Sequence, residues 1–158
     1  MYMEKEMEWE ENLIFFNGNL IFEGEYLNGK KHGKGKVYDY STGRLIFEGE
    51  YLNGERNGKG KEYNYEGKLI FEGEYLDGQK NGKGKEYDAH DNKLRFEGAY
   101  LKGKRNGKGK GYDTYNDTLI FEGEYLNDQR NGKGKEYDYN GKLIFEGNFL
   151  NGKRINSN

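Results

Sequence analysis

Glutamate and lysine pairs recur along the chain at spacings that could support acid–base chemistry, phosphate binding or attachment to an anionic surface. In most units two Glu residues flank one glycine and two Lys residues flank another glycine further on. His32 and His90 are the only histidines, and there is no cysteine to act as a nucleophile or thiolate ligand. Any chemistry would therefore rest on carboxylates and amines.

Repetition of these pairs argues against catalysis. An enzyme that uses acid–base chemistry tunes one acid and one base differently, whereas the same pair on nearly every unit indicates a structural ladder. Two distant histidines do not supply a metal site. The Gly-Lys-Gly-Lys strings lack the spacing and the following helix of a phosphate-binding P-loop. The sequence therefore predicts a non-enzymatic protein with no cofactor and no metal.

A block of about 24 residues positions these charges and recurs along nearly the whole chain. Such arrays bury the apolar face of each unit against its neighbours and form elongated surfaces suited to binding. We expect an acidic N-terminal segment or cap at residues 1–12, the repeat array at residues 13–155 and a tail at 156–158. Five full repeats begin near Phe22, Phe47, Phe71, Phe96 and Phe121, and a truncated sixth begins at Phe145.

Composition limits both the size of the core and the class of partner. Only 32% of the residues are hydrophobic and 34% are charged, yet 16% are aromatic, which argues against disorder. The net charge is −2, and residues 1–12 contribute −4 of it, so the repeats carry +2. Neither value gives the basic footprint that nucleic-acid binding needs. Without a signal-like start or a long apolar run, the sequence predicts a cytoplasmic protein.

Each unit reads as a β-hairpin. Alternation over residues 69–75 places Phe71, Gly73 and Tyr75 on one face of a strand. We expect a seven-residue connector at 76–82, a second strand from about 83 to 88, and then a tighter two-residue turn such as that at 139–142. The fold class is all-β: an open, single-layer, twisted antiparallel meander, or solenoid, of stacked hairpins. About twelve strands at ~4.8 Å each would extend about 60 Å.

Aromatic rings and glycines form the expected core of this sheet. Glycine leaves a slot in which a ring from a neighbouring strand can lie flat. The core residues predicted in the central repeats are Phe47, Gly49, Tyr51, Phe71, Gly73, Tyr75, Phe96, Gly98 and Tyr100. An offset of three between Gly84 and Tyr87 predicts a β-bulge near Lys85 and Glu86 that brings this Tyr to the glycine face.

The block resembles the MORN repeat (membrane occupation and recognition nexus). Residues 47–51 read Phe-Glu-Gly-Glu-Tyr, 53–60 read Asn-Gly-Glu-Arg-Asn-Gly-Lys-Gly, and Tyr63 and Tyr65 follow. The family pattern is similar, although it commonly has Trp in place of Tyr51 and His in place of Asn57. The resemblance covers about residues 13–155. It implies a groove-bearing β-solenoid used in protein interaction and scaffolding, with cytoskeletal or membrane association and self-association among its members.

The sequence leaves two alternatives for a binding surface. The first is a groove that takes a helix or an extended segment of a protein partner, with candidates Tyr40, Tyr65, Tyr115, Tyr139, Ile46, Ile70 and Ile120. The alternative is a peripheral membrane module that binds anionic phospholipid head groups through Lys59, Lys61, Lys83, Lys85, Lys108, Lys110, Lys133 and Lys135. Cross-strand Glu–Lys pairing would neutralise that lysine ladder and disfavour lipid binding. Exposed tyrosines could also stack on sugars.

The two ends depart from the repeat. Trp9 and the apolar run at 13–16 predict an N-terminal cap, and Met3 and Met7 stand at helical spacing. The sixth unit ends soon after residue 152, so we expect it to lack its second strand. Its first strand, at about 143–150, would then present an unpaired edge, and we predict homodimerisation through that edge.

Overall fold

A computed structural model describes the backbone of residues 10–155 and the side chains of residues 13–155. These residues form one antiparallel sheet of thirteen strands, in which each strand pairs with its neighbours in the sequence. The strands are β1 (Glu10–Phe16), β2 (Asn19–Leu27), β3 (Lys30–Tyr38), β4 (Leu45–Leu52), β5 (Glu55–Tyr63), β6 (Leu69–Leu76), β7 (Gln79–Tyr87), β8 (Leu94–Leu101), β9 (Lys104–Asp113), β10 (Thr118–Leu126), β11 (Gln129–Tyr137), β12 (Leu143–Leu150) and β13 (Lys153–Ile155).

The open all-β meander expected from the sequence is confirmed. Strand β1 pairs with β2 across a turn at Asn17 and Gly18. The expectations for the Met3 and Met7 spacing, for Trp9 and for the tail at 156–158 lie outside the described residues. The acidic segment at 1–12 lies mostly outside them as well.

The connection inside each repeat is much shorter than the sequence predicted. Leu52 of β4 pairs with Glu55 of β5, so only Asn53 and Gly54 form the turn. Both have positive φ, +53° and +95°, as a type I′ turn requires. The predicted seven-residue connector is therefore wrong. The second strand begins directly after the turn, and the later glycine that suggested a longer loop lies inside that strand.

The connection between repeats is the longer of the two. In the loop at 64–68 the Asn64 amide N–H donates to the Lys68 carbonyl over 2.9 Å. The Asn64 side-chain oxygen accepts from the amides of Glu66 and Lys68 at 3.0 and 2.9 Å. An Asx side chain closes this loop, and Gly67 alone within it has positive φ. The predicted two-residue turn at this place is wrong, because its geometry occurs at the other end of the hairpin.

A row of glycines crosses the sheet from strand to strand. The ladder pairs each of them with glycines of the adjacent strands, in the order Gly24, Gly35, Gly49, Gly60, Gly73, Gly84, Gly98, Gly109, Gly123, Gly134 and Gly147. The Phe47 ring lies over two of them. A Cβ on Gly49 would come within 2.8 Å of its Cζ, and one on Gly60 within 2.7 Å. The rings therefore lie along the sheet over missing side chains.

Aromatic contacts continue along this face from repeat to repeat. The Phe47 ring meets Tyr51 of its own strand and Tyr75 of the next repeat edge-to-face, with centroids 5.8 and 5.4 Å apart. Edge-to-face pairs contribute about 0.5–1.5 kcal/mol each beyond burial. The buried residues are Phe22, Phe47, Tyr51, Phe71, Tyr75, Phe96, Tyr100, Phe121, Tyr125 and Phe149. These residues form the core on what we call the aromatic face.

Cations cover the aromatic face. The Arg56 guanidinium lies 3.8 Å from the Phe47 ring centroid and bonds to Glu62 over 3.0 Å. Equivalent cations stand over the other Phe rings: Lys31, Lys80, Arg105, Arg130 and Arg154. A cation over a ring is favourable electrostatically and its stem shields apolar surface. A single-layer sheet can thus bury phenylalanine without a second layer.

The bulge predicted near Lys85 and Glu86 is present but acts differently. The register between β7 and β8 shifts after Glu86, and the extra residue is Arg95 of β8. Tyr87 stays on the face opposite the glycines and donates to Glu72 Oε1 over 2.6 Å. Simple alternation from Gly84 to Tyr87 therefore holds, and Tyr87 is not a core residue.

The sixth repeat keeps part of its second strand. Strand β13 pairs with β12 from Asn148 opposite Ile155 to Leu150 opposite Lys153. The interpretation that this strand is lost is therefore wrong. Among the residues that the structure describes, β13 covers only the last three positions of β12, so residues 143–147 have β11 on one side and no strand on the other.

Replacing Gly98 by Val should unfold the middle of the array. A Cβ there would lie 2.6 Å from the Gly109 Cα and 2.7 Å from the Lys108 carbonyl oxygen, both backbone atoms that cannot yield. We expect a loss of about 3 kcal/mol or more in urea unfolding.

Gly111→Ala is the matched control, because a Cβ at this strand position meets only the movable Tyr125 hydroxyl at 3.3 Å. It should change the free energy of unfolding by less than about 1 kcal/mol. Equal stability of the two variants would contradict the role given to the glycine row.

Candidate functional site: a charged groove

A groove of about 1600 Å³ runs along the face opposite the aromatic rings, from β3 to β12. Its floor is the backbone of the glycine row, and one line of alternating Lys and Glu side chains borders it on each side. Because neighbours of a strand glycine point to the opposite face, rings and charges end up on different sides of one sheet. Nine strand spacings of ~4.8 Å give the groove a length of about 43 Å.

The first charge row alternates in sign without interruption. Cross-strand pairing sets its order as Glu23, Lys36, Glu48, Lys61, Glu72, Lys85, Glu97, Lys110, Glu122, Lys135 and Glu146. Every lysine in this row lies between two glutamates. The predicted cross-strand Glu–Lys pairing is thus confirmed, and each such surface pair contributes only a few tenths of a kcal/mol.

Tyrosine hydroxyls hold the glutamates of this row in place. Tyr63 donates to Glu48 Oε1 over 2.6 Å, and Tyr38, Tyr87, Tyr112 and Tyr137 make the same bond one strand after each Glu. Burial and the bond to Glu48 raise the pKa of Tyr63 to about 12. Hydrogen bonds from Tyr38 and Lys36 lower the pKa of Glu23. Glu23 is therefore an ionised acceptor at neutral pH, and the tyrosine bonds orient the other carboxylates of the row in the same way.

The second charge row is built around a bulge in every repeat. Register shifts between Gly49 and Tyr51, so residues 57–59 of β5 face Glu50 alone. Gly58 has φ +101°, and a Cβ there would lie 2.0 Å from Glu50 Oε2. That oxygen accepts the Lys59 amide N–H over 2.7 Å. The carboxylate thus replaces the backbone acceptor that the bulge displaces.

The third and fifth repeats keep this arrangement, and the fourth does not. Glu74 accepts from the Lys83 amide at 2.8 Å, and Glu124 accepts from the Lys133 amide at 3.3 Å. In the fourth repeat the corresponding residue is Ala99, which carries no carboxylate. The second row is therefore interrupted at this point of the groove.

The predicted lipid-binding lysines all lie in this groove. They are Lys59, Lys61, Lys83, Lys85, Lys108, Lys110, Lys133 and Lys135. The fold brings them together in two lines, interleaved with glutamates and not as a continuous basic patch.

The predicted partner-contact residues lie elsewhere. Tyr65 and Tyr115 stand on the loops between repeats, with 76% and 93% of their surface exposed, and Tyr40 and Tyr139 occupy equivalent loops. Ile46, Ile70 and Ile120 are half-buried strand residues. None of the seven lines the long groove. Tyr40 and Ile46 meet in a separate pocket of about 600 Å³ beside Phe16.

Sequence reasoning missed the glutamate that caps each bulge and the cation that covers each Phe. Predicting either of them requires the two-residue turn to be placed correctly. Its Asn-Gly signal at 53 and 54 was present but was merged with Gly58 into one long connector. Placing the turn at the first Asn-Gly would have put Arg56 and Gly58 within a paired strand.

The part of the chain that the structure describes has neither a metal-binding cluster nor a membrane-spanning helix. Within the described residues, no cluster of three or more His, Cys, Asp or Glu side chains could hold a metal ion. Over the same part of the chain, no helix is long and apolar enough to span a bilayer.

This arrangement defines a class: an open β-repeat protein whose single sheet carries a buried aromatic ladder on one face and a polar groove on the other. The MORN repeat profile matches the chain five times, at residues 22–43, 47–68, 71–89, 96–110 and 121–142. Since these matches cover more than half of the sequence, the chain belongs to the MORN repeat family. No curated protein matches the chain. MORN repeats are generally protein or lipid interaction modules and are typically non-enzymatic.

High pH should destabilise the sheet through the tyrosines that bond to the first charge row. The phenol of Tyr63 has an unfolded pKa of about 10 and a folded pKa of about 12. Its contribution is therefore complete below pH 10 and is lost as the pH rises to 12. Tyr63→Phe should flatten the fall of unfolding free energy over this range, as measured by urea titrations at stepped pH.

Tyr65→Phe, on an exposed loop, serves as the control and should leave the slope unchanged. An unchanged slope in Tyr63→Phe would contradict the assigned hydrogen bond.

Removing the carboxylate that caps a bulge should cost stability, and supplying the missing one should add it. Glu50→Ala leaves the Lys59 amide without its acceptor, and we expect a loss of about 1 kcal/mol. Ala99→Glu should gain a similar amount by capping the Lys108 amide. Glu55→Ala, at an exposed position beside the turn, should have little effect. Changes of the same sign in Glu50→Ala and Ala99→Glu would refute this account.

Proposed function

We propose that the chain is a non-enzymatic scaffold whose groove holds an extended segment of a partner protein. The observation that supports this most strongly is the continuity of the groove, which follows the glycine row across ten strands without a side chain blocking its floor. An extended chain advances ~3.3 Å per residue, so about 13 residues would fill it. Cavities for small molecules are usually enclosed, whereas this trough is long and open.

Charge spacing favours an extended segment over a helix. Along either row one Glu–Lys pair recurs about every 9.6 Å, twice the ~4.8 Å distance between strands. A polyproline II chain, which is extended, makes one turn in three residues and advances about 9.3 Å, so every third side chain faces the same way. An α-helix rises 1.5 Å per residue, so the same distance corresponds to ~6.4 residues, which is not a whole number. A partner with like charges three residues apart would therefore stay in register, and such charges set specificity and encounter rate.

Lipid binding is the less favoured alternative. Ten groove lysines would each contribute about 1 kcal/mol on an anionic bilayer if they acted alone. In the first charge row, however, a glutamate stands on both sides of every lysine, so no net positive field develops there. Cytoplasmic location with cytoskeletal or membrane attachment is consistent with either mode of binding and remains part of this proposal.

Self-association through the end of the array is a separate proposal. Among the described residues, positions 143–147 of β12 pair with β11 but have no strand on their other side, whereas β13 covers positions 148–150 there. An exposed strand edge can pair with a second copy. Light scattering of the purified chain tests this directly, since a monomer at high concentration would exclude it.

Selection of peptides from a random display library on the purified array tests the scaffold proposal. Enriched peptides should carry like charges three residues apart and should shift the NMR signals of groove residues. Lys61→Glu places three glutamates next to each other in the first charge row. It should weaken binding of the selected peptides by about tenfold or more. Lys102→Glu, on an exposed turn, is the matched control and should not change it.

Peptides that map to the loop tyrosines would place the binding surface there and contradict the groove. Failure to select any peptide, together with flotation on anionic vesicles that is lost at moderate salt, would support the lipid alternative.

A further inference from the structure

The fourth repeat differs from the others at one position of the groove. Residue 99 is Ala where Glu50, Glu74 and Glu124 stand in the second, third and fifth repeats. The bulge beside it is unchanged, because Gly107 has φ +100° against +101°, +96° and +91° at the equivalent glycines. The Lys108 amide is therefore presented as its equivalents are, but without a carboxylate from its own chain.

The charged residues around Ala99 are also arranged differently from those at the equivalent positions of the other repeats. Lys83 stands directly opposite Ala99 on one side, and Lys108 follows on the other. Elsewhere in this row a glutamate separates successive lysines, so the site has two adjacent ammonium groups with no carboxylate between them. Both lysines are exposed and line the groove. The backbone N–H of Lys108 and two lysine side chains thus stand at neighbouring positions around Ala99.

Space is available for a ligand at this place. In other repeats the glutamate carboxylate lies against the bulge glycine, within 2.0 Å of where a Cβ would stand. At Gly107 the nearest atom to such a Cβ is the Ala99 methyl group at 3.2 Å. In the fourth repeat, the Ala99 methyl group is therefore the nearest side-chain atom to the space that a carboxylate fills in the other repeats.

We propose that this position binds the carboxylate of an Asp or Glu side chain from the partner segment, which takes the place of the missing glutamate. The donors are the Lys108 amide and the ammonium groups of Lys83 and Lys108. The proposal rests on the groove's proposed function and adds a requirement to it: an acidic residue of the partner sits at the fourth repeat. Charge-assisted bonds of this kind fix the register of an extended chain along an otherwise repetitive surface.

NMR titration of the isotope-labelled chain tests this at single-residue resolution. The probes are a capped Ser-Gly-Glu-Gly-Ser peptide and its Gln counterpart, titrated to the millimolar range. The Lys108 amide signal should move with the Glu peptide and much less with the Gln peptide. The amides of Lys59, Lys83 and Lys133 should not move, since glutamates of the chain already accept their hydrogen bonds.

Two variants change the number of such sites. Ala99→Glu supplies the carboxylate internally and should weaken the Glu-peptide response at Lys108 by about tenfold or more. Glu74→Ala removes it from the third repeat and should make the Lys83 amide responsive. Ala99→Ser, which adds no charge, is the control and should keep the response.

Equal shifts at Lys59, Lys83, Lys108 and Lys133 with the Glu peptide, or a full response in Ala99→Glu, would overturn the site. So would a response at Lys108 to inorganic phosphate with none to the Glu peptide, which would assign the position to a phosphate-bearing ligand. Display-selected peptides that bind the groove with no acidic residue near Ala99 would refute this inference while leaving the scaffold function standing.

Discussion

Close approach of phenylalanine rings to a backbone without side chains is the interaction on which this structure depends. Each ring covers one glycine of its own strand and one of the next, at distances that no Cβ would permit. Because the ring lies along the sheet, it also reaches the Tyr of the following repeat edge-to-face. On the opposite face, alternation along each strand places the charged neighbours of these glycines in two rows, and the groove lies over the backbone between them.

The positions of the charged side chains follow from the same packing. Residues on either side of a strand glycine point away from the rings, which puts glutamate and lysine on the groove face in every repeat. Antiparallel register then alternates their signs from strand to strand. The outcome is a groove that is dense in charge but nearly neutral, which supports the proposal that it recognises another charged segment over adsorption to a uniformly anionic surface.

The sequence predicted the fold class, the repeat register and the Phe-Gly-Tyr pattern, because period-two alternation and a spacing of 24–25 residues are strong signals. It failed at the hairpin turn. Asn53-Gly54 and Gly58 stand close together, and both have positive φ, so a turn and a bulge looked like one connector. Because of that error, the sequence did not predict that Arg56 covers the ring of Phe47 or that Lys59 bonds to Glu50. Sequence patterns locate breaks in a strand but do not tell a turn from a bulge.

Nuclear Overhauser effects between phenylalanine ring protons and glycine Hα protons test the central claim most directly. The account predicts strong effects from the Phe47 ring to both Gly49 and Gly60, with those Hα signals displaced upfield by the ring, and the same pattern in the Phe71 and Phe96 units. Glycine Hα signals at ordinary positions with no effect from the rings would contradict it, because neither the aromatic ladder nor the groove could then have the geometry described.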